Sequence, residues 1–233
     1  MRDVAGKTHR MLHEELQALA EPVLRKFKDH PFWSGLRDSS LPVESLKHFV
    51  EQDTGYLLPA YARALARCAA MAVDDSHAML LGQSIFETLA ARDRLRAKYG
   101  ELAEQLGTPP LGATLAAVAP GTHAYAAFFQ SASARSLAAG IGAVLPMVWF
   151  NFSISNDLKD NYHPGSRYAP WIDVYRPGED YQYTVRGFTS MVDELGGQFS
   201  PSQRQELVEY FTVSTRYEWM FVENSWTRAQ WPV

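Results

Sequence analysis

The segment from Ser136 to Leu158 constrains the fold more than any other part of the sequence. Its apolar residues fall on almost every side of a helix: Ile141, Val144, Leu145, Met147, Val148, Trp149, Phe150, Phe152 and Ile154. A helix that is apolar all round has no face to present to water, so other protein elements must surround it. The sequence therefore predicts a central helix inside a helical bundle.

The rest of the chain carries the patterns of further helices, several of them with recognisable ends. Helices are predicted at about residues 4–28, 41–71, 75–106, 122–133, 169–174 and 180–194, with a last helix from 200 onward. Gly196-Gly197 is expected to close the sixth of these helices, and residues 30–35 to break the chain after the first. The last helix begins with Ser200 as its cap, Pro201 at its first position and Gln203 completing a capping box. Strand alternation, repeats and linkers are missing from the sequence, so we expect one all-α domain over residues 1–233.

The composition excludes several classes of protein. The net charge of -4 and the isoelectric point near 6.0 leave no general basic surface, so we expect no nucleic-acid partner. The only cysteine, Cys68, excludes an internal disulfide framework and a multi-cysteine metal site. The first residues lack the apolar run of a signal peptide, and the weakly polar stretch from Ser136 to Phe152 is shorter than a bilayer span. We therefore expect a soluble, cytoplasmic protein without a membrane partner.

Two acidic residues, Asp53 and Glu218, lie on the apolar stripe of a predicted helix. The other members of the two stripes are Leu46, Phe49, Val50 and Leu57 in one helix, and Leu207, Phe211, Ser214 and Phe221 in the other. A carboxylate that faces a core destabilises the fold by several kcal/mol unless it is paired, hydrogen-bonded or neutral. One interpretation is a pair of ion pairs, with Arg63 or Arg67 for Asp53 and with Arg216 or Arg228 for Glu218. The other is a polar pocket inside the bundle.

Sequence motifs for metal and cofactor sites are missing. A carboxylate-bridged di-iron site in a helical bundle needs Glu-x-x-His on facing helices, and the nearest match is Asp93-Arg94-Leu95-Arg96. Arg96 stands there in the place of histidine, and arginine does not ligate iron. His9 and His13 are four residues apart on a charged helix, which is typical of a solvated face. We expect no metal and no cofactor.

The chain is identified as a member of the TenA/thiaminase II family by motifs that occur in the family's order from the first helix to the last. These motifs are His30-Pro31-Phe32-Trp33, Leu41-Pro42, Gln52-Asp53-Thr54-Gly55-Tyr56-Leu57, Tyr61-Ala62-Arg63, Ala124-Tyr125, Leu145-Pro146 with Trp149, Trp171-Ile172-Asp173-Val174-Tyr175, and Tyr217-Glu218 with Phe221. The resemblance implies the haem-oxygenase-like all-α fold without haem, in a homo-oligomer that is a tetramer or a dimer. It also implies hydrolysis of thiamin, or of its aminomethyl aminopyrimidine breakdown product, to hydroxymethyl pyrimidine.

The resemblance also implies roles for individual residues. Asp53 would hold the aminopyrimidine through its ring nitrogen and amino group, with Tyr56 lining the same pocket one helical turn on. Glu218 would be the general acid/base that protonates the leaving amine and then activates water, because burial raises a carboxyl pKa toward neutrality. Tyr125 and Tyr175 would supply hydroxyl groups. Phe221 would supply a stacking face.

The chain departs from the family at two positions that are expected to contact the substrate. Met147 stands where the family has its nucleophilic cysteine, and a thioether cannot form the adduct that a thiolate makes. Asn151, one turn later, replaces the tyrosine that assists this cysteine. Cys68 lies among small residues and is interpreted as a buried structural thiol. Three functions stay open: a pyrimidine hydrolase without the cysteine, a repurposed protein that only binds a small molecule, and a metal-dependent helical oxygenase.

Overall fold

The computed structural model describes residues 11–176, Gly178 and residues 181–233. In these ranges the chain is helical, and no β-strand occurs there, so the all-α prediction is confirmed. The helices are α1 (Leu12–Lys28), α2 (Pro31–Asp38), α3 (Val43–Gln52), α4 (Leu58–Met71), α5 (Asp75–Leu106), α6 (Pro120–Arg135), α7 (Leu137–Asn161), α8 (Ala169–Tyr175), α9 (Tyr181–Gln198) and α10 (Pro201–Thr227). The predicted start of the first helix, at residues 4–10, lies outside the described residues.

The predicted ends of the helices are confirmed at some places and wrong at others. The capping box of Ser200 and Gln203 is present at the start of α10, and Gly107 ends α5 with a left-handed φ of 63°. The predicted break after α1 is instead the short helix α2, because the His30 side chain accepts a hydrogen bond from Phe32 N and Pro31 suits a first turn. Gly196-Gly197 does not close α9. A Cβ on Gly196 would lie 2.9 Å from Leu12 Cδ2, so this glycine allows α9 to pack closely on α1.

The helix predicted for residues 41–71 is divided by a π-helical turn, which spans Asp53–Leu57 between α3 and α4. In this turn the backbone N–H of Leu58 donates to the carbonyl of Asp53, five residues earlier. A π-helix accommodates more residues per turn than an α-helix and commonly occurs at functional sites. The turn therefore changes which side chains share a face with Asp53.

Helix α7 is the central helix, as predicted, and it packs most extensively against α10. Gly142 makes this contact close, since a Cβ there would lie 2.4 Å from the carbonyl oxygen of Leu207. By length and composition alone, helix α7 could also cross a membrane, whereas the apolar stretch predicted from the sequence is shorter than a bilayer span. However, 72% of its most apolar window is buried inside the protein, as in the core helix of a bundle.

Candidate active site

A cavity of about 320 Å³ lies inside the bundle, and both buried carboxyl groups line it. Asp53 comes from the π-helical turn and Glu218 from the middle of α10. The two side chains are only 7% and 8% exposed. The two acidic residues that interrupt the apolar stripes in the sequence therefore meet in one internal site.

Burial controls the charge of this pair. It raises the pKa of Asp53 to about 8, with a further contribution from the nearby Glu218 carboxylate. It raises the pKa of Glu218 to about 7, although a hydrogen bond from Tyr125 lowers it. At neutral pH Asp53 is therefore mainly a neutral acid, and Glu218 is partly protonated and partly ionised.

The ion pairs considered for these residues do not form. The Arg63 guanidinium donates to the carbonyl of Pro59, and that of Arg67 donates to Ser133 Oγ at 3.5 Å. Arg216 and Arg228 are both exposed, whereas Glu218 faces the cavity. The polar-pocket interpretation is therefore the one that fits the structure.

Tyr125 forms a hydrogen bond with Glu218 from outside the cavity. Its hydroxyl donates to Glu218 Oε1 at 2.6 Å and lies 3.3 Å from Ser214 Oγ, which in turn donates to the carbonyl of Ala143. The pKa of Tyr125 is raised by burial and by the Glu218 carboxylate, so its phenol stays protonated and remains a donor. Tyr125 is fully buried and does not line the cavity itself.

Four of the other predicted site residues line the same cavity as the carboxyl groups: Met147, Asn151, Tyr175 and Phe221. Burial and the charges of Asp53 and Glu218 raise the pKa of Tyr175, whereas a hydrogen bond with Asn151 lowers it. The Tyr175 ring stacks on Trp171 with ring centroids 4.8 Å apart, and this contact fixes its orientation. The cavity thus combines an acidic end with aromatic walls, an arrangement suited to a flat ligand that carries hydrogen-bonding groups.

The placement expected for Tyr56 needs correction. Tyr56 does not line this cavity, and its hydroxyl donates to the carbonyl of Ala116 on the other side of the helix. Three residues after Asp53, an α-helix would bring Tyr56 close to the same face. The wider π-helical turn rotates it away, while Leu57 stays on the cavity side.

Several residues that line the cavity are not predicted as site residues from the sequence, among them Tyr61, Glu87 and Tyr181. Tyr61 is eight residues after Asp53, which is the edge of the same face in a regular α-helix, and the π-helical turn brings it closer to that face. Burial raises the pKa of Tyr181, and the charges of Glu87 and Glu218 add to the rise. Glu87 and Tyr181 come from α5 and α9, and no local pattern in the sequence connects them.

The single thiol is remote from this site. Cys68 is fully buried and does not line the cavity, and burial raises its pKa to about 12. A Cβ on Gly140 of α7 would lie 2.5 Å from its sulfur, so it fills a helix-to-helix contact. Cys68 is therefore a structural thiol, and Met147 leaves the cavity without a thiolate.

Metal ligands do not assemble in the described part of the chain. No group of three or more His, Cys, Asp or Glu side chains comes together there. Arg96, at the position where a di-iron motif would need histidine, lies outside the cavity and donates to Thr54 Oγ1 at 3.1 Å. The donor set for a helical di-iron oxygenase is not found among these residues.

Comparisons with known proteins agree with this fold. The chain is 28% identical over 218 residues to an aminopyrimidine aminohydrolase of Bacillus subtilis, which covers 87% of this chain and 84% of that protein. It is 27% identical over 219 residues to another from Halalkalibacterium halodurans, covering 91% and 94% of the two chains.

Solved structures of TenA homologues also superimpose on the chain. The homologue from Pyrococcus horikoshii gives a TM-score of 0.73 at 24% identity, covering 94% of this chain and 99% of that one. The homologue from Pyrococcus furiosus gives 0.79 at 18% identity, covering 92% and 100%. These likenesses confirm the haem-oxygenase-like helical fold. The family model described as TENA/THI-4/PQQC matches residues 14–228, and the chain therefore belongs to this family.

Proposed function

We propose that this protein hydrolyses an aminomethyl aminopyrimidine to hydroxymethyl pyrimidine and ammonia. The observation that carries the proposal is the pair of buried carboxyl groups, Asp53 and Glu218, in one cavity with aromatic walls. The names of the two aminopyrimidine aminohydrolase relatives support the same substrate class. A small pyrimidine is thus the proposed partner of the cavity.

Asp53 is proposed to bind the pyrimidine as a neutral acid. Its raised pKa, about 8, keeps the proton on the carboxyl group at neutral pH. A carboxylic acid presents one donor and one acceptor side by side, and an aminopyrimidine presents a ring nitrogen acceptor beside an amino donor. The two groups can therefore form a matched pair of hydrogen bonds, with Tyr175 and Phe221 as flat walls beside the ring.

Glu218 is proposed to carry the proton transfers. In its protonated form it donates a proton to the leaving amine, and the carbon–nitrogen bond breaks with its electron pair on nitrogen. The resulting carboxylate takes a proton from water, whose oxygen bonds to the methylene carbon. One water is consumed, ammonia leaves, and Glu218 ends protonated as it began. A pKa of about 7 suits a group that acts in both directions near neutral pH.

Met147 makes water the direct attacking group in this proposal. The family's usual cysteine adduct needs a thiolate in the cavity, and Cys68 is buried away from it. Protonation by Glu218 makes the amine a leaving group, whereas the quaternary thiazolium nitrogen of thiamin departs as a neutral thiazole and has no use for an acid. The acid of the cavity is thus matched to the amine, and we propose that the aminomethyl pyrimidine is a much better substrate than thiamin.

Exchange of Glu218 tests this proposal. Glu218→Gln is expected to lower turnover by about 10²- to 10⁴-fold, the usual contribution of a general acid/base, while binding of hydroxymethyl pyrimidine persists. Glu209→Gln, which changes an exposed carboxylate on the same helix, is the matched control and is expected to keep full activity. Full activity in Glu218→Gln would contradict the proposed mechanism.

A second candidate function is a protein that binds a pyrimidine without turning it over. It is favoured by Met147, which lines the cavity with an unreactive side chain at the position where the family resemblance implies a nucleophile. Calorimetry and product analysis on the same sample separate the two functions. Binding of hydroxymethyl pyrimidine without any release of product from the amine supports the binding protein, and product above a heat-treated control contradicts it.

We further propose that the chain works in the cytoplasm as a homo-oligomer, as the family resemblance implies. Sedimentation of the pure protein tests the assembly. A mass of two or four chains supports the proposal, and a mass of one chain contradicts it.

A further inference from the structure

The π-helical turn that carries Asp53 is tied to a neighbouring helix by one side-chain contact. Nη1 of Arg96, on α5, donates to the hydroxyl of Thr54 at 3.1 Å. Thr54 follows Asp53 directly in the chain and is 2% exposed. The contact thus reaches the backbone next to the buried carboxyl group.

The Thr54 hydroxyl connects Arg96 to the backbone. It donates to the carbonyl of Val50 at 2.6 Å, and the same carbonyl also accepts the backbone N–H of Asp53. A threonine hydroxyl has one proton and free lone pairs, so it can donate to Val50 and accept from Arg96 together. The guanidinium, the hydroxyl and the carbonyl form a continuous chain that ends at the turn holding Asp53.

The Asp53 side chain depends on this backbone for its direction. Among the described residues no side-chain or backbone group forms a hydrogen bond with its carboxyl oxygens, although the residue is 7% exposed and lines the cavity. A side chain without its own polar contacts points wherever its backbone and packing direct it. A π-helical turn is less regular than an α-helix and needs local interactions to persist.

We propose that Arg96 is a positioning residue, which through Thr54 holds the π-helical turn so that the Asp53 carboxyl group faces the cavity. Its role is geometric, since the guanidinium contacts Thr54, while the pKa of Asp53 is raised by burial and by Glu218. The proposal rests on the proposed function in one respect only, namely that Asp53 binds the pyrimidine.

Loss of the contact has two separable consequences. The backbone amides of residues 54–58 lose protection from hydrogen exchange, while those of residues 60–71 in α4 keep theirs. Binding of hydroxymethyl pyrimidine weakens by about 10- to 100-fold, the effect of a misplaced binding group, and KM for the amine rises more than kcat falls. If Arg96 only stabilised the fold, its loss would lower the melting temperature without changing KM more than kcat.

The experiment compares Arg96→Gln, Thr54→Val and the double variant with wild type by hydrogen exchange and by calorimetry with hydroxymethyl pyrimidine. Thr54→Val keeps the shape of the side chain, so it serves if Arg96→Gln folds poorly. Thr54→Ser keeps the hydroxyl group and is expected to behave as wild type. Arg92→Gln, four residues earlier on α5, is the matched control because the Arg92 guanidinium pairs with its neighbour Asp93 and, among the described residues, forms no hydrogen bond to the π-helical turn.

The expected result is faster hydrogen exchange at residues 54–58 in both single variants. The double variant is expected to show the same exchange and the same affinity as the single variants, because all three break one chain of contacts. Wild-type exchange at 54–58 in Thr54→Val, or additive losses in the double variant, would overturn the proposal. If wild type binds no pyrimidine, the proposed function fails, and the exchange comparison still decides whether Arg96 holds the turn.

Discussion

The Tyr125 hydroxyl donates a 2.6 Å hydrogen bond to Glu218 Oε1, and both residues are buried. This bond stabilises the ionised carboxylate, so it opposes the rise in pKa that burial causes and leaves the Glu218 pKa at about 7. Tyr125, which does not line the cavity, thus lowers the pKa of the residue that we propose as the acid/base.

Tyr125→Phe tests this adjustment. Without the donor, the pKa of Glu218 rises, by roughly one unit for one hydrogen bond to a charged group. The proposed reaction begins from protonated Glu218, so kcat/KM falls as pH rises through this pKa, and in Tyr125→Phe that fall moves to higher pH. Tyr183→Phe alters an exposed tyrosine and serves as the control. A pH profile that stays in place or moves to lower pH would contradict the tuning.

Asp53→Asn tests whether Asp53 binds as a neutral acid. An asparagine amide, like a protonated carboxyl group, offers one donor and one acceptor side by side. Asp53→Asn is therefore expected to bind hydroxymethyl pyrimidine within about tenfold of wild type, whereas Asp53→Ala loses two hydrogen bonds and roughly 100-fold or more in affinity. Calorimetry at neutral pH measures both. Equal losses in the two variants would mean that the ring needs the ionised carboxylate instead.

The raised pKa of Asp53 predicts that the protein loses stability as pH rises. An unfolded aspartate ionises near pH 4, whereas the folded one keeps its proton until about pH 8, so the folded state binds more protons in this window. The contribution of Asp53 to the free energy of unfolding is therefore fully present below pH 4, and it is lost as the pH rises from 4 to 8. Asp53→Asn removes this loss.

Thermal unfolding of Asp53→Asn and wild type across this pH range measures the effect. At pH 8 the variant is expected to be more stable, with a melting temperature several degrees higher, and at pH 4 the two proteins become similar. Asp29→Asn changes an exposed aspartate and is expected to follow wild type throughout. A constant difference between Asp53→Asn and wild type at every pH would exclude the proposed burial of a neutral acid.

Met147→Cys tests the consequence of the missing nucleophile. The new thiol lies in the cavity and is expected to react with iodoacetamide in the native protein, whereas wild type, with only buried Cys68, does not. Thiamin cleavage is expected to rise above the wild-type level, and to rise further when Asn151→Tyr is added. Intact-mass analysis and product chromatography measure these effects. Unchanged thiamin cleavage in an alkylatable Met147→Cys would show that the cysteine position alone does not limit this reaction.

The sequence predicts the fold and part of the site because those features follow from regular helices. Asp53 and Glu218 are recognisable as acidic residues on apolar stripes, and α7 as a helix without a polar side. The orientation of Tyr56 cannot be predicted from the sequence, because the π-helical turn leaves no mark in an α-helical pattern. Glu87 and Tyr181 come to the cavity from separate helices, and only the packing of those helices brings them to the site.

The most direct test of the central claim is to incubate the pure protein with the aminomethyl aminopyrimidine and, separately, with thiamin, and to follow hydroxymethyl pyrimidine by mass-detected chromatography. We expect product from the amine, with one ammonia for each hydroxymethyl pyrimidine, and little product from thiamin. Release of no product from either compound would contradict the hydrolase and leave the cavity as a binding site for a different ligand.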